Sequence, residues 1–129
     1  DSPYAGFSTV KPWIMVNPNY KTIHASEQLA RKDSVFHYYR KLIELRHTHD
    51  VIVYGNYEAY LEEDDNIFAY TRTLHKDEGC TKLFVLCNFT SKALTRCIPA
   101  EFADGQVLIS NYKETAEYLR PYEAFAILI

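Results

Sequence analysis

Glycine is scarce in this chain, with four in 129 residues, and Gly6, Gly55, Gly79 and Gly105 lie too far apart to build a loop that cradles phosphate. The same spacing excludes a Gly-x-Ser-x-Gly nucleophile elbow. No Lys/Arg run exceeds the pairs Arg31-Lys32 and Arg40-Lys41, and the net charge is −3, so no nucleic acid is expected as a partner. No apolar run approaches the roughly twenty residues of a membrane-crossing helix, and the first residues show neither a basic nor an apolar leader, so no membrane partner is expected either. The three cysteines, Cys80, Cys87 and Cys97, form no Cys-x-x-Cys pair. An odd number of them, two in apolar strand-like runs, reads as buried free thiols of a reducing, cytoplasmic compartment. His47 and His49 sit two apart in a helical stretch and point to different sides. The acidic run from Glu62 to Asp65 lacks the alternating ligands and central glycine of a calcium loop. Neither a metal site nor a cofactor is expected.

Aromatic residues are plentiful: eleven Tyr and seven Phe in a chain 47% hydrophobic exclude disorder and leave ample material for one core. The opening stretch DSPYAGFSTVKPWIMVNPNY has three prolines in its first eighteen residues and neither a helical nor a strand period. A loop that long in a compact domain is usually functional. Gly6-Phe7 and Pro12-Trp13 set permissive or rigid backbone beside rings, a composition suited to stacking on a sugar or to anchoring the loop on what lies beneath. Both readings stay open at this point.

Residues 33–49, DSVFHYYRKLIELRHTH, predict the one convincing helix, capped by Asp33 or Ser34. Its stripe is Val35, Tyr38, Tyr39, Leu42, Leu45 and Arg46. After Asp50 the period changes to two, with strands expected at 57–61, 67–74, 82–89, 93–98, 106–110 and 124–129. KLFVLCNF is apolar on both faces, as a central strand is, and EEDDN at 62–66 and HKDEG at 75–79 are the hairpin turns. The spacing predicts a mainly β domain, an antiparallel β-sandwich of Greek-key type, with Leu83, Val85, Cys87, Phe125 and Ile127 in its core. Asn88-Phe89-Thr90 fits a glycosylation acceptor, but it closes an apolar strand and reads as chance.

The spelling adds more than the composition. DSPYAGFSTVKPWIMVNPNY, DSVFHYYRKLIELRH, VIVYGNY and Leu119-Arg120-Pro121-Tyr122-Glu123-Ala124 together resemble the C-terminal third of the oligo-1,6-glucosidase and α-glucosidase group of glycoside hydrolase family 13, the α-amylase clan. The resemblance implies a retaining hydrolase of α-glucoside oligosaccharides. Residues 1–50 would be a remnant of its (β/α)₈ barrel, the last βα loop and last helix, and 51–129 the sandwich called domain C. Such barrels meet substrate on the loops at one face, so Gly6 and Phe7 become the remnant of a substrate loop. The two carboxylates of a retaining glycosidase, about 5 Å apart, would lie on upstream strands. No catalytic residue is therefore expected here, and the fragment alone should be inactive and self-associate through its exposed helix face. Tyr4, Ser8 and Val10 stand where the group commonly has Asn, Thr and Gly, which leaves the linkage open. Trehalose-6-phosphate hydrolase and sucrose isomerase share the fold and chemistry. An amino-acid transporter heavy-chain ectodomain or a stand-alone carbohydrate-binding module are the non-enzymatic alternatives.

Overall fold

The computed structural model describes residues 2–77 and 79–129, and the chain divides into two compact units, Asp1–Ile43 and Glu44–Ile129. In the first, the opening loop is punctuated by two short 3₁₀ turns, Pro3–Gly6 and Pro18–Lys21, each begun by a proline whose missing N–H is not needed there. Asn17 caps the second, its side chain accepting from the Asn19 amide at 3.2 Å. A helix the sequence pattern did not predict, α1 (Ala25–Ala30), is capped by His24, whose Nδ1 accepts from the Glu27 amide at 3.3 Å. It has no apolar stripe to announce it; an Arg31–Glu27 ion pair at 2.9 Å ties its last turn.

The predicted helix is α2 (Val35–Thr48). Ser34 rather than Asp33 begins it: the buried Ser34 hydroxyl accepts from the His37 amide at 3.4 Å and donates to the Gln28 carbonyl at 2.6 Å. Of its stripe, Leu45 is buried, whereas Val35, Tyr39 and Leu42 are exposed. Among the described residues no helix is long and apolar enough to cross a membrane.

The second unit is mostly antiparallel sheet. Its strands are β1 (Asn56–Tyr60), β2 (Ile67–Lys76), β3 (Gly79–Asn88), β4 (Leu94–Thr95), β5 (Gln106–Ser110), β6 (Tyr118–Leu119) and β7 (Ala124–Leu128). Five pair in the order β1-β2-β3-β7-β5, and β4 pairs with β6 in a separate two-stranded sheet. The strand expected at 93–98 shrinks to two residues, because Arg96 leaves the ladder to bind Glu123 at 3.0 Å. The β1–β2 loop is held by Asp64, which accepts from the Asn66 amide at 2.9 Å. The other expected turn, at 75–79, is shorter than its span, because His75 and Lys76 continue β2 and pair with Cys80 and Gly79 of β3; Glu78 lies outside the described residues, as does Asp1. A short helix missed in the sequence, α3 (Asp50–Tyr54), precedes β1. The Arg72 guanidinium donates to the Gly55 carbonyl at 2.7 Å, and Lys76 reaches Asp50 at 2.6 Å, so β2 grips both ends of α3.

β3 is central and apolar on both faces, as KLFVLCNF predicts. On one face Phe84 and Leu86 meet Ala69, Phe125 and Ile127, roofed by Leu119 of β6 and Phe102. Phe84 packs edge-on against Tyr60 and tilted against Phe102, with centroids 5.6 and 5.4 Å apart. On the other face Leu83 and Ala126 meet Val51 of α3. The five expected core residues thus do not share one core. Leu83, Val85 and Cys87 project to the α3 side while Phe125 and Ile127 project to the other, and Val85 and Cys87 are only half-buried. Alternation along one strand and across a ladder requires this split. The thiols are free, but Cys80 is exposed and Cys97 half-buried: Cys80 pairs with His75 near the tip of the β2–β3 hairpin, beyond the reach of the core. Gly105 is required by close approach, since a Cβ there would lie 2.4 Å from Ile127 Cγ2.

Candidate functional site

The opening loop is the candidate site. Tyr4 (φ 54°), Ala5 (φ 56°) and Gly6 (φ 76°) form a turn with three consecutive left-handed residues. Each non-glycine residue so placed costs about 1–2 kcal/mol. The turn is closed by Ala5 N–H to Ser2 O at 2.9 Å and Phe7 N–H to Tyr4 O at 3.1 Å. Backbone strain of this kind concentrates at sites that use it. It delivers Phe7 to solvent, 83% exposed, while a β-carbon at Gly6 would meet nothing within 4 Å. Gly6 and Phe7 border one shallow hollow with Pro3 and Ser8. A second is lined by Tyr4, Lys11, Trp13, Met15 and Tyr20, with Trp13 95% exposed. Neither Phe7 nor Trp13 is covered within this chain.

The loop can stack and hydrogen-bond through its rings, hydroxyls and backbone. From Ser2 to Ser26 there is no acidic residue. Elsewhere Asp64, in the acidic run 62–65, accepts from Asn66, and Glu123 is held between arginines. Among the described residues no three His, Cys, Asp or Glu gather to hold a metal. His49 is spent locally, its ring Nδ1 within 3.2 Å of the Leu45 carbonyl.

Sequence reasoning missed one polar node, which is structural. Glu123 is buried, yet its carboxylate accepts from Arg96 Nη1 (3.0 Å) and from Arg120 N (2.8 Å), Nε (3.1 Å) and Nη2 (3.2 Å). The Arg96 guanidinium lies 4.2 Å over the Phe125 ring, and that of Arg120 3.9 Å over Tyr112. Burial alone pushes the Glu123 carboxyl up; hydrogen bonds from Arg120 and Arg96 outweigh it and hold the group below the usual carboxylate range. Asn88 extends the node: buried, it donates through Nδ2 to the carbonyls of Lys92 (2.8 Å) and Arg120 (2.9 Å) and accepts from the Thr90 amide (2.8 Å). An amide so committed is not a glycan acceptor. The available signal was a lone glutamate abutting the apolar run AFAILI, since a charge beside a core strand needs partners.

Residues 1–55 match the family model described as the alpha amylase catalytic domain. The oligo-1,6-glucosidase of Bacillus cereus is 44% identical over 131 residues, covering 96% of this chain and 23% of the relative. That of Parageobacillus thermoglucosidasius is 47% identical over 132 residues with the same coverage. The crystal structure of Bacillus licheniformis trehalose-6-phosphate hydrolase superposes with a TM-score of 0.83 at 38% identity, over 98% of this chain and 24% of that one. The chain therefore spans about a quarter of the length of the relatives it matches. A ring-bearing loop without carboxylates, a short helix leading into an antiparallel sheet and this degree of identity agree: the chain belongs to glycoside hydrolase family 13, the α-amylase family, in the group that includes the oligo-1,6-glucosidases.

Proposed function

We propose that this chain is the C-terminal part of a retaining α-glucosidase that hydrolyses short α-glucosides, with the oligo-1,6-glucosidase reaction as the leading assignment. The observation that carries it is the 44% and 47% identity to two oligo-1,6-glucosidases over 96% of the chain. In this reading residues 1–50 are the last loop and helix of the catalytic barrel and 51–129 a Greek-key β-sandwich. The catalytic-domain match over residues 1–55 and the five- and two-stranded antiparallel sheets support that division. The loop's part is to offer the Phe7 ring beside Gly6 to a glucosyl unit, whose apolar face stacks on an aromatic ring. Both reacting carboxylates come from elsewhere in the polypeptide. The three free thiols fit a cytoplasmic setting. For the isolated chain, the exposed Val35, Tyr39, Leu42 and Ile43 of α2 support self-association.

The likeness to a trehalose-6-phosphate hydrolase structure favours a second reading within the same chemistry. The test is the complete open reading frame, expressed and offered isomaltose, trehalose 6-phosphate and sucrose. Preferential glucose release from isomaltose supports the leading assignment, preference for the phosphorylated sugar replaces it with the second, and isomerised sucrose points to a sucrose isomerase. Failure on every α-glucoside would overturn the hydrolase reading in favour of a non-enzymatic relative. The present chain alone, given p-nitrophenyl α-glucoside, should match a heat-killed control.

A further inference from the structure

The opening turn carries a bulky residue where a small polar one would fit better. Tyr4 holds φ 54° and ψ 30°, left-handed backbone that glycine and asparagine adopt readily and a large side chain rarely does. Asparagine is common at this position in the group that the opening stretch resembles, and it would make the same turn with less strain. The hydrogen bond that closes the turn, Phe7 N–H to the Tyr4 carbonyl at 3.1 Å, is backbone to backbone and needs no ring. The Tyr4 side chain therefore serves something other than the turn, and strain held in this way marks a site that uses it. Tyr4 is half-buried and lines the hollow of Lys11, Trp13 and Tyr20, whereas Gly6 and Phe7, two and three residues further on, border the other hollow. The two hollows share no lining residue, so one short turn lends a ring to each. Lys11 and Lys21, both exposed, complete the lining on the Tyr4 side, and no acidic residue is part of it. Rings that stack beside ammonium groups that donate suit a second hydroxyl-bearing unit of a ligand.

We infer that Tyr4 is a specificity-determining residue whose ring stacks on the leaving-group sugar of an α-glucoside, while Gly6 and Phe7 meet the glucosyl unit that is transferred. The inference rests on the proposed function above and names the part of the substrate that the second hollow takes. Tyr4 and Phe7 stand three residues apart, at most about 11 Å along the backbone, which is within the reach of two linked sugar rings. A leaving group without a ring has nothing to place against Tyr4. The residue should therefore matter for disaccharides and not for transfer of the glucosyl unit itself.

The test introduces Tyr4→Asn and Tyr4→Phe into the complete polypeptide and compares kcat/KM for isomaltose with kcat/KM for α-glucosyl fluoride, which delivers the same glucosyl unit with no sugar behind it. Tyr4→Asn should lower the isomaltose-to-fluoride ratio at least about threefold, through the KM for isomaltose, because one lost stacking contact is worth about that much. Tyr4→Phe keeps the ring and should hold the ratio within about twofold. Asparagine suits left-handed backbone, so the Tm of Tyr4→Asn should stay within about 2 °C of wild type or rise. A ratio that Tyr4→Asn moves by less than threefold overturns the inference. That includes an equal loss on both substrates, the mark of a ring that only anchors the loop on the rest of the polypeptide. A Phe variant as impaired as the Asn variant also overturns it, by making the phenol the contact, as does a larger fall in Tm, which makes Tyr4 a packing residue. A wild type inert towards both substrates defeats the proposed function and this inference with it, whereas an active wild type with an unmoved ratio defeats this inference alone.

Discussion

Replacing Glu123 with alanine asks whether one buried carboxylate pins the second unit. The Glu123 side chain is 1% exposed, and its partners Arg96 and Arg120 are 11% and 18% exposed, so all three charges have given up most of their water. The four hydrogen bonds described above join β7 to the segments that flank β4 and β6. Removing the carboxylate leaves two nearly buried guanidinium groups facing each other without a counter-charge. Breaking a buried pair in this way costs about 3–5 kcal/mol, against a total stability of about 5–15 kcal/mol for a domain. Glu123→Gln keeps the shape and one accepting oxygen and should lose roughly half as much. Urea unfolding followed by far-UV circular dichroism is the right assay, because the only tryptophan, Trp13, lies in the first unit and is 95% exposed. With a urea m-value of about 1–3 kcal/mol/M, the Glu123→Ala midpoint should fall by about 1 M or more. A loss below about 1 kcal/mol would refute the idea that these ion pairs matter to the fold.

The pH dependence follows from the same carboxylate. Its folded value is depressed, so as pH falls below about 4.3, the unfolded glutamate value, the unfolded chain takes up a proton first. The contribution of Glu123 is complete above that pH and is lost as the pH falls through the folded value. Wild type minus Glu123→Gln stability should therefore shrink over that window and stay level above it. A difference that grows on acidification has the wrong sign for this argument.

The remaining predictions concern the core, α3, the thiols and α2. Phe84→Ala and Ile127→Ala, both in the roofed cluster, should each cost about 2–5 kcal/mol, read from the same urea curves; Val85→Ala, half-buried, should cost less. Arg72→Ala removes the donor that holds the Gly55 carbonyl and should cost about 1.5–3 kcal/mol, with faster amide exchange confined to α3 and β1. Ellman's reagent should modify Cys80 before Cys87, since Cys80 is exposed while burial pushes the Cys87 thiol up. Leu42→Glu on the exposed stripe should abolish concentration-dependent light scattering of the isolated chain; scattering unchanged by it would place the contact elsewhere.

What the sequence disclosed follows the strength of its periodicities. β2 and β3 are ten residues each, and their apolar stretches were legible in position, whereas the polar ends His75-Lys76 and Gly79 to Thr81 were not. α2 was legible because its stripe repeats over four turns. α1 and α3, six and five residues long, are too short for a period and depend on His24 and on Arg72 for their ends. β6 is two residues, Tyr118–Leu119, and exists because Leu119 closes the roof over Phe84, a reason that lies 35 positions away in the chain (119 − 84 = 35). The phase of β3 was the subtler loss: a strand covered on both faces has no polar side to orient it, so nothing local distinguishes Phe84 and Leu86 from Leu83 and Val85.

The candidate site was legible in a different way. Composition gave rings and prolines and left stacking and anchoring equally open; only the spelling of the loop tied Gly6 and Phe7 to a family. Within the described chain Phe7 and Trp13 are 83% and 95% exposed, and the chain spans about a quarter of its relatives' length, so stacking and anchoring both stay open. The chemistry of the lining separates the two aromatic surfaces of the protein. Phe7 and Trp13 stand on a loop with successive left-handed residues and polar neighbours such as Ser8 and Lys11, the mixed lining a polyhydroxylated ligand requires. Tyr57, Phe68, Tyr70 and Phe89 stand on a sheet among Ala59, Val85, Cys87 and Ala124, with two phenols and the Arg72 guanidinium, which is opposite Tyr57 and donates to the Gly55 carbonyl, as the polar groups. A sugar placed on that sheet would leave most of its hydroxyls unpaired, at about 1–3 kcal/mol for each one buried. An apolar protein surface placed there would leave fewer, so the two linings differ in kind: the loop's suits a polyhydroxylated ligand, the sheet's an apolar surface.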